Sequence, residues 1–415
     1  TQSWLVILLM FCVRMRQGRC SITDTESGRD RNTMNTRKKL LLLGGSRYLL
    51  PAIKAAHDLG VYVITCDYLP YNYAHQFADE YHNVSIIDKE AVLALAQKLN
   101  IDGIMSYATD PGVVTAAYVA GKMHLPGNNP YESVAILQNK GKFREFLREH
   151  EFNVPKMKTF RSWDEVKLSL DEIEYPVIVK PTDSAGSKGV TRVDMEDQLE
   201  SAVSYALDHS IGHECIIEQF IEKEGYSTDT DSFSINGELV FFSLNDQWFD
   251  EKAANKYTPA AYCWPSSMPP STQKELHDEI QRLLKILHMG TSMYNIETRL
   301  GKDGKPYIME VSPRAGGNRL AEVLRYACGQ DLIKASIEGA LGLPIDKLRD
   351  PIYHGNWGLV VLHGEQSGIF QKVSINPQIL DEIAEQDIWL KPGDKVEQFT
   401  GANESIGTLI LHCTT

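Results

Sequence analysis

The chain has 415 residues, of which 43% are hydrophobic and 23% are charged, and its formal net charge at pH 7 is −13. This length gives room for two to four domains, and the composition is ordinary for a globular protein. The negative charge argues against a nucleic-acid backbone as the principal partner. Seven scattered cysteines without a CxxC pair favour reduced thiols, and we therefore expect a cytoplasmic protein.

The first 36 residues precede the first predicted strand. They contain an apolar run of ten residues, WLVILLMFCV at 4–13, which is too short to cross a bilayer because a spanning helix needs about 20 residues. No basic segment precedes this run, and no obvious cleavage site follows it. We interpret residues 1–36 as a leader that is disordered or lies before a natural start at Met34. A membrane anchor is the less favoured alternative, and no stable membrane contact is expected.

Residues 37–129 are predicted to form a Rossmann-like N-terminal domain. The buried strand KLLLL runs into two glycines, a helix is predicted over 48–60, and VYVITCD at 61–67 is typical of a second strand. This βαβ start resembles a dinucleotide-binding fold. The turn GGSRYL lacks the third glycine of GxGxxG, so a nicotinamide site is only weakly supported.

Residues 176–190, PVIVKPTDSAGSKGV, combine a strand with a loop of small residues. The β-branched apolar run predicts a buried strand that ends at Lys180. Glycines let backbone N–H groups approach a ligand closely, and oriented amides beside a lysine favour a phosphate chain. The loop is not a Walker loop, because GxxxxGK followed by Ser or Thr is absent, and in a kinase the glycines precede the lysine strand. An ordinary β-turn with solvated lysines is the alternative.

The rest of the chain predicts more helices and strands in a recognisable order. A helix is expected over 139–156, and ECIIEQFI begins a strand and a connector at 214. SFSINGELVFFSL predicts a hairpin that turns at Asn236–Gly237. An amphipathic helix is predicted over 273–290, and short strands with turns are expected from about residue 351.

Two glutamates lie on neighbouring predicted strands near the end of this region. Glu297 and Glu310 are thirteen residues apart, across a KDGK turn, so a hairpin can bring both carboxylates onto one face. Paired carboxylates suit Mg²⁺, which can bridge ATP phosphates. Each acid could instead be an ordinary exposed residue, but both have apolar neighbours, and a buried unpaired carboxylate is costly. Arg314 follows in SPRAGGN and offers a fixed fork for a carboxylate or phosphate.

The order of these motifs resembles the ATP-grasp superfamily from residue 37 to about 415. The strand-end lysine, the small-residue loop, the EQFI connector and the E…EVSPRAGG hairpin are most similar to its carboxylate–amine ligases, such as L-amino acid ligases, and its carbamoyl-phosphate-synthase-like members. The resemblance implies an α/β ATP-grasp fold with a Rossmann-like N-terminal domain. It further implies a small ATP-grasp subdomain at 130–222, a large one at 223–350 and a small β-rich C-terminal module at 351–415.

The resemblance also implies roles for individual residues. The residues expected to bind ATP are Lys140, Lys180, the loop residues Ser184, Gly186, Ser187, Lys188 and Gly189, the adenine connector Glu218, Gln219, Phe220 and Ile221, and a ribose-binding acid that is Glu224 or Glu222. The residues expected to hold Mg²⁺, or alternatively Mn²⁺, are Glu297, Glu310 and Ser312. Ser312 stands where many members of the superfamily have a metal-binding asparagine, which puts a second ion in doubt. Arg314 and Lys180 are the implied catalytic residues.

The implied reaction joins a small-molecule carboxylate to an amine. The carboxylate attacks the γ-phosphate of ATP, and the amine then displaces phosphate from the acyl phosphate, which leaves ADP and phosphate. An ATP-dependent carboxylase or carbamoyl-phosphate-forming enzyme is one alternative, and an inactive nucleotide-binding protein is another. A homodimer is compatible with the resemblance. The aromatic side chains of 244–270, namely Trp248, Phe249, Tyr257 and Trp264, either line the substrate pocket or belong to the core.

Overall fold

The computed structural model describes residues 37–127, 129–184 and 186–413. The leader predicted over 1–36 and the start at Met34 lie outside these residues. Within the described ranges, no helix has the length and apolar character that crossing a membrane requires. The five cysteines of these ranges are all free thiols.

A four-stranded parallel sheet forms the N-terminal unit, with the order β3–β2–β1–β4. Leucine side chains of β1 alternate between two separate hydrophobic clusters, so both faces of this sheet are covered. The chain order reverses between β1 and β4, and a crevice forms at the carboxyl ends of strands at such a point. The elements are β1 Lys39–Leu43, α1 Leu50–Asp58, β2 Tyr62–Asp67, β3 Glu80–Asn83, α2 Lys89–Leu99, β4 Gly103–Ser106 and α3 Val113–Met123.

The next unit has an antiparallel sheet with the order β5–β8–β6–β7. The helix predicted over 139–156 begins where the Asn139 side chain accepts a hydrogen bond from the backbone N–H of Lys142. It ends earlier than predicted, and Glu151 then takes a left-handed φ of 60°. The elements are α4 Tyr131–Leu137, α5 Lys140–Glu149, β5 Met157–Phe160, α6 Trp163–Lys167, β6 Val177–Pro181, β7 Thr191–Val193, α7 Leu199–Asp208 and β8 Cys215–Gln219.

A second antiparallel sheet, with the order β10–β9–β13–β14, carries the two glutamates. Its first hairpin turns at Asn236 and Gly237, whose φ angles of 52° and 82° suit an Asn-Gly turn, so this prediction is confirmed. The helix predicted over 273–290 ends at Ile286, and His288 takes a left-handed φ of 52°. The elements are β9 Thr228–Ile235, β10 Glu238–Phe241, α8 Pro270–Ile286, β13 Ser292–Leu300 and β14 Pro306–Ser312.

The C-terminal strands belong to a five-stranded sheet with the order β11–β12–β15–β19–β17. Trp264 of β12 pairs with Trp357 of β15, so this sheet crosses the boundary predicted at residue 350. The remaining elements are β11 Asp246–Phe249, β12 Pro259–Trp264, α9 Leu320–Cys328, α10 Leu332–Ala340, β15 Asn356–His363, β16 Gly368–Ile369, β17 Ile383–Ile388, β18 Lys395–Val396 and β19 Ser405–Cys413.

One large hydrophobic cluster joins the N-terminal unit to the sheets that follow it. It contains Leu40 of β1, Phe233 of β9, Trp264 of β12 and Ile410 of β19, each at most 2% exposed. Burial of side chains of this size contributes about 1.5–3 kcal/mol each. The shared core therefore fixes the N-terminal unit against the strands that carry the candidate site. It also places Trp264 in the core rather than in a pocket.

Candidate active site

Glu297 and Glu310 lie directly opposite each other on the antiparallel strands β13 and β14. Opposed residues on neighbouring strands share a face, so the predicted placement of the two carboxylates is confirmed. Their side chains are 34% and 31% exposed, which leaves both accessible to a ligand. Burial raises the pKa of Glu297; Arg299 opposes this rise, while the negative charge of Glu310 adds to it. A cation placed between the two carboxylates would relieve this repulsion.

A row of polar side chains extends this face onto β9, and the sequence analysis missed it. Asp229 is opposite Glu297, and Asp231 is opposite Asn295. Asn295 donates through Nδ2 to Oδ1 of Asp229 at 2.8 Å. Burial raises the pKa of both aspartates to about 7, and the charge of Glu297 adds to the rise at Asp229. The alternating acids in TDTDS were the sequence signal for two aspartates on one strand face.

Asp231 is fully buried and only partly satisfied. Its Oδ1 accepts a hydrogen bond of 2.7 Å from the backbone N–H of Gly316, while Oδ2 has no partner among the described residues. No group of three or more His, Cys, Asp or Glu side chains in the described ranges is arranged to hold a metal ion. A metal at this face would therefore need oxygen ligands from a substrate as well as from the paired glutamates.

Two lysines face the paired glutamates from the preceding unit. Lys140, the first residue of α5, donates to the backbone oxygen of Ser184 at 3.0 Å, and its Nζ lies 3.3 Å from Oε2 of Glu310. It therefore links the glycine loop to the glutamate strand. Lys180, at the end of β6, forms an ion pair with Glu218. The two predicted lysines and Glu310 thus lie around one cleft.

Arg144 completes a buried group of charges that the sequence analysis also missed. It is fully buried, and its Nε lies 3.0 Å from Oε2 of Glu218, whose other oxygen pairs with Lys180. Neither Nη1 nor Nη2 of Arg144 has a hydrogen-bond partner among the described residues. Two cations therefore flank one carboxylate, and the group carries a net positive charge. The spacing of Lys140 and Arg144, four residues apart on a helix, was the available signal.

The charges in this group shift one another's proton affinity. Burial by itself would raise the pKa of Glu218, but Arg144 and Lys180 outweigh it and hold the pKa at about 2. Burial lowers the pKa of Lys180; Glu218 opposes this, and the positive charges of Arg144 and Lys140 add to it. Glu218 is therefore ionised and engaged with cations, which leaves only its main chain for the predicted contact with a base.

Arg314 is held by the N-terminal unit. Its Nε and Nη2 donate to Asp110 at 2.8 and 2.6 Å, and Nη1 donates to Asn295 and to the backbone oxygen of Ala315. A guanidinium has five N–H groups, so one on Nη2 is left for a ligand. Burial would raise the pKa of Asp110, but Arg314 outweighs burial and lowers it.

Ser312 is fully buried, and its hydroxyl contacts both the N-terminal unit and the residue that follows α4. Its hydroxyl accepts a hydrogen bond from Gln138 at 2.7 Å and donates one to Asp110 at 2.9 Å. It would have to give up at least one of these contacts to bind a metal ion. Its role as a metal ligand stays a prediction, and in the structure the hydroxyl bonds to Gln138 and Asp110.

The glycine loop adopts the backbone that its sequence suggests. Gly186, Ser187 and Gly189 have left-handed φ angles of 69°, 59° and 72°. A Cβ on Gly189 would come within 2.7 Å of Pro181, so only glycine fits there. Ser187 donates to the backbone oxygen of Tyr257 at 2.9 Å, which holds the loop against the segment between β11 and β12. Ser184 is half-buried, and Lys188 is exposed.

The predicted connector follows β8 directly. Gln219 is exposed. The guanidinium carbon of Arg192 lies 4.3 Å from the ring centroid of Phe220. The backbone oxygen of Ile221 accepts a hydrogen bond from Arg299 at 3.2 Å. Of the two candidate acids, Glu222 pairs with Lys302, with 2.7 Å between Oε2 and Nζ. Glu224 is exposed and makes no side-chain hydrogen bond or ion pair with the described residues, so it is the freer carboxylate. These assignments stay predictions.

Comparison with known proteins identifies the class to which this cleft belongs. Residues 137–318 match the family model described as an ATP-grasp domain. This match spans the two lysines, the glycine loop, the connector, the paired glutamates and Arg314. The chain therefore contains an ATP-grasp domain, and the predicted resemblance is confirmed.

Individual relatives agree with this assignment. The chain is 26% identical over 225 residues to the large chain of carbamoyl phosphate synthase from Corynebacterium glutamicum, a match that covers 54% of this chain and 20% of the relative. It is 26% identical to the formate-dependent phosphoribosylglycinamide formyltransferase of Bacteroides thetaiotaomicron, over 75% of this chain and 79% of the relative. The chain thus spans about a fifth of the first relative and most of the second.

A solved structure shows that the fold extends beyond the family domain. The L-amino acid ligase of Bacillus licheniformis superposes with a TM-score of 0.74 at 21% identity, over 91% of this chain and 94% of that one. The α/β ATP-grasp fold predicted for the whole region is therefore confirmed.

Replacing Arg144 tests the buried group of charges. We expect Arg144→Met to lower the free energy of unfolding by about 3–5 kcal/mol, because it removes a partner from a buried carboxylate. Arg144→Lys should lose less, since it keeps the charge. Arg148→Met is the control, as Arg148 is exposed one turn further along α5. Denaturant unfolding measures all four proteins, and equal stability of Arg144→Met and the wild type would contradict the ionised state of Glu218.

A second prediction concerns the pH dependence of stability of the ligand-free protein. The pKa of Asp231 is about 7 in the fold against a reference value of 3.8, so folded protein keeps a proton that unfolded protein loses between these values. Its contribution to stability is full below the reference pKa and is lost as the pH rises through 7. We expect Asp231→Asn to melt higher than the wild type at pH 8 and to depend less on pH. Asp208→Asn, on the exposed end of α7, is the control, and parallel melting curves for Asp231→Asn and the wild type would contradict the assignment.

Proposed function

We propose that this protein is an ATP-dependent carboxylate–amine ligase. It activates a small-molecule carboxylate as an acyl phosphate and couples it to an amine, releasing ADP and phosphate. The observation that carries the proposal is the register of Glu297 against Glu310, with Lys140 3.3 Å from the second carboxylate. A structural or purely binding role would not require two partly exposed carboxylates placed face to face, because their charges repel each other.

The residues present fit ATP and Mg²⁺. Glu297 and Glu310 would hold the ion, because hard cations prefer carboxylate oxygens. An ion held there would supply positive charge that offsets the negative charge of the group being transferred. The net positive charge of Arg144, Lys180 and Glu218 supports the same conclusion, since it suits a polyphosphate.

The chain's own residues position the reaction rather than take part covalently. Lys140 and Lys180 bind the phosphate chain from one side of the cleft, and the glycine loop covers it. The free N–H of Arg314 donates to the acyl phosphate, while Asp110 fixes the orientation of the guanidinium. Such charged donors act most strongly at positions that are shielded from water.

Formation of carboxy phosphate or carbamoyl phosphate from bicarbonate is the second candidate. Bicarbonate is itself a carboxylate, and the similarity to a carbamoyl phosphate synthase large chain favours this alternative. The match covers only a fifth of that relative, which weakens the argument. ADP release that depends on bicarbonate, without any organic acid, would distinguish this candidate. A homodimer stays a prediction for either reaction.

Hydroxylamine trapping tests the proposed function. We expect hydroxylamine to replace the amine and give a hydroxamate from one member of a panel of amino acids and other carboxylic acids, with ATP and Mg²⁺ required. ADP and phosphate should form in equal amounts. Lys180→Met should lower the rate about 100-fold or more, because a neutral side chain cannot offset phosphate charge at this largely buried position.

The control for this experiment is Lys142→Met. Lys142 is exposed on α5, two residues from Lys140, so its loss should leave the rate near that of the wild type. Formation of AMP and pyrophosphate would place the attack at the α-phosphate and contradict the proposal. An unaffected rate in Lys180→Met would remove this lysine from the phosphate site.

A further inference from the structure

A cluster of polar side chains lies between β9, β11, β12 and the segment that follows Arg314. It is formed by the carboxyl groups of Asp229 and Asp231, the amides of Gln247 and Asn318, and the hydroxyl of Tyr262. Asp229 is half-buried, and the other four residues are at most 6% exposed. None of the residues assigned to ATP or Mg²⁺ belongs to this cluster, so the proposed reaction gives it no role.

Hydrogen bonds join these side chains around Oδ2 of Asp229. The Tyr262 hydroxyl and Nε2 of Gln247 donate to this oxygen at 3.3 and 3.4 Å. Nδ2 of Asn318 in turn donates to the Tyr262 hydroxyl at 3.3 Å. An N–H···O bond is usually about 2.7–3.2 Å long, and an O–H···O bond is shorter. The polar groups of the cluster therefore meet at one place but are held together loosely.

Three oxygens of the cluster lack a hydrogen-bond partner. Among the residues that the structure describes, none bonds to Oδ2 of Asp231, Oε1 of Gln247 or Oδ1 of Asn318. Two of these oxygens belong to amides whose nitrogens already bond within the cluster. All three are acceptors, and a buried acceptor is costly unless a donor, a water or an ion satisfies it. What the cluster lacks is therefore a donor or a cation.

The two carboxyl groups lie side by side without a counter-ion. Nδ2 of Asn295 lies 2.8 Å from Oδ1 of Asp229 and 3.5 Å from Oδ1 of Asp231. Within the described ranges, neither aspartate forms an ion pair. The guanidinium of Arg314 donates instead to Asp110. Two neighbouring carboxylates repel each other, and a buried charge needs an opposite charge beside it.

The available ligands decide which cation fits. They are oxygens only, from two carboxyl groups and from neutral amides, and no set of three acidic, His or Cys ligands exists in the described part of the chain. Mg²⁺ demands near-ideal octahedral geometry and gives up its water reluctantly. K⁺ exchanges its hydration shell for carbonyl oxygens in protein sites. A weakly hydrated, singly charged ion therefore suits this cluster better than a divalent one.

We propose that the cluster is a site for a monovalent cation of the size of K⁺. Asp229 and Asp231 supply the negative charge, and Oε1 of Gln247 and Oδ1 of Asn318 supply neutral ligands. The ion enters on the side of Asp229, because this side chain is the one with solvent access. It satisfies the three unpartnered oxygens and offsets the repulsion between the aspartates. The inference goes beyond the proposed function, since the site needs neither ATP nor a substrate.

Thermal melting of the ligand-free full chain tests the inference. The measurement is made at pH 8, where the Asp231 carboxyl, with its pKa of about 7, is mostly ionised. KCl is compared with tetramethylammonium chloride, whose cation is too large for the cluster, at equal ionic strength and without Mg²⁺. We expect KCl to raise the melting temperature by about 2–5 °C, because an ion that binds only the folded state stabilises it by mass action.

Two variants and a control make the result specific. Asp231→Asn removes one charge, whereas Gln247→Met removes a neutral ligand and keeps both carboxyl groups. Each variant should melt at nearly the same temperature in the two salts. Asp208→Asn, on the exposed end of α7, should keep the full effect of KCl.

Thallium(I), which replaces K⁺ and scatters anomalously, locates the ion in crystals of the full chain. We expect an anomalous peak between Asp229 and Asp231, within reach of Gln247 and Asn318. Equal melting of the wild type in the two salts, or an unchanged effect of KCl in both variants, overturns the inference. A thallium peak found only elsewhere, such as between the paired glutamates, overturns it as well. Hydroxamate formation reports on the proposed function separately, since neither of these experiments requires turnover.

Discussion

Two carboxylates face each other across β13 and β14, and their negative charges repel each other. The rest of the site supplies cations that offset this repulsion. Glu297 and Glu310 are opposed in register, and the charge of one raises the pKa of the other. A fold keeps such a pair when cations reach it. Lys140 supplies one from the side of the glycine loop, and the remaining exposed carboxylate oxygens are suited to a metal ion.

The positive side of the cleft is equally constrained. Arg144 and Lys180 both pair with Glu218 in the interior. Both cations are therefore largely buried, and the group of three has a net positive charge. The N-terminal unit also contributes, because Asp110 fixes the guanidinium of Arg314. The N-terminal unit and the two antiparallel sheets that follow it thus each provide charged groups to the candidate site.

Local patterns predicted much of this arrangement. The Asn236–Gly237 turn, the strand ending at Lys180 and the hairpin that aligns Glu297 with Glu310 depend on residues near one another in the chain. Arg144 and Asp110 were missed because their roles arise from contacts 74 and 204 residues away in sequence. The C-terminal strands were expected to form a separate small module. In the structure β15 pairs with β12, and no local sequence pattern reveals this long-range pairing.

The fate of the carboxylate oxygen tests the acyl phosphate most directly. The accepted acid is labelled with ¹⁸O in both carboxyl oxygens and converted with unlabelled ATP and the amine, and the products are analysed by mass spectrometry. If the carboxylate attacks the γ-phosphate and the amine then breaks the C–O bond, the released phosphate carries one ¹⁸O and the ADP carries none. Unlabelled phosphate, or label in AMP, would contradict the account.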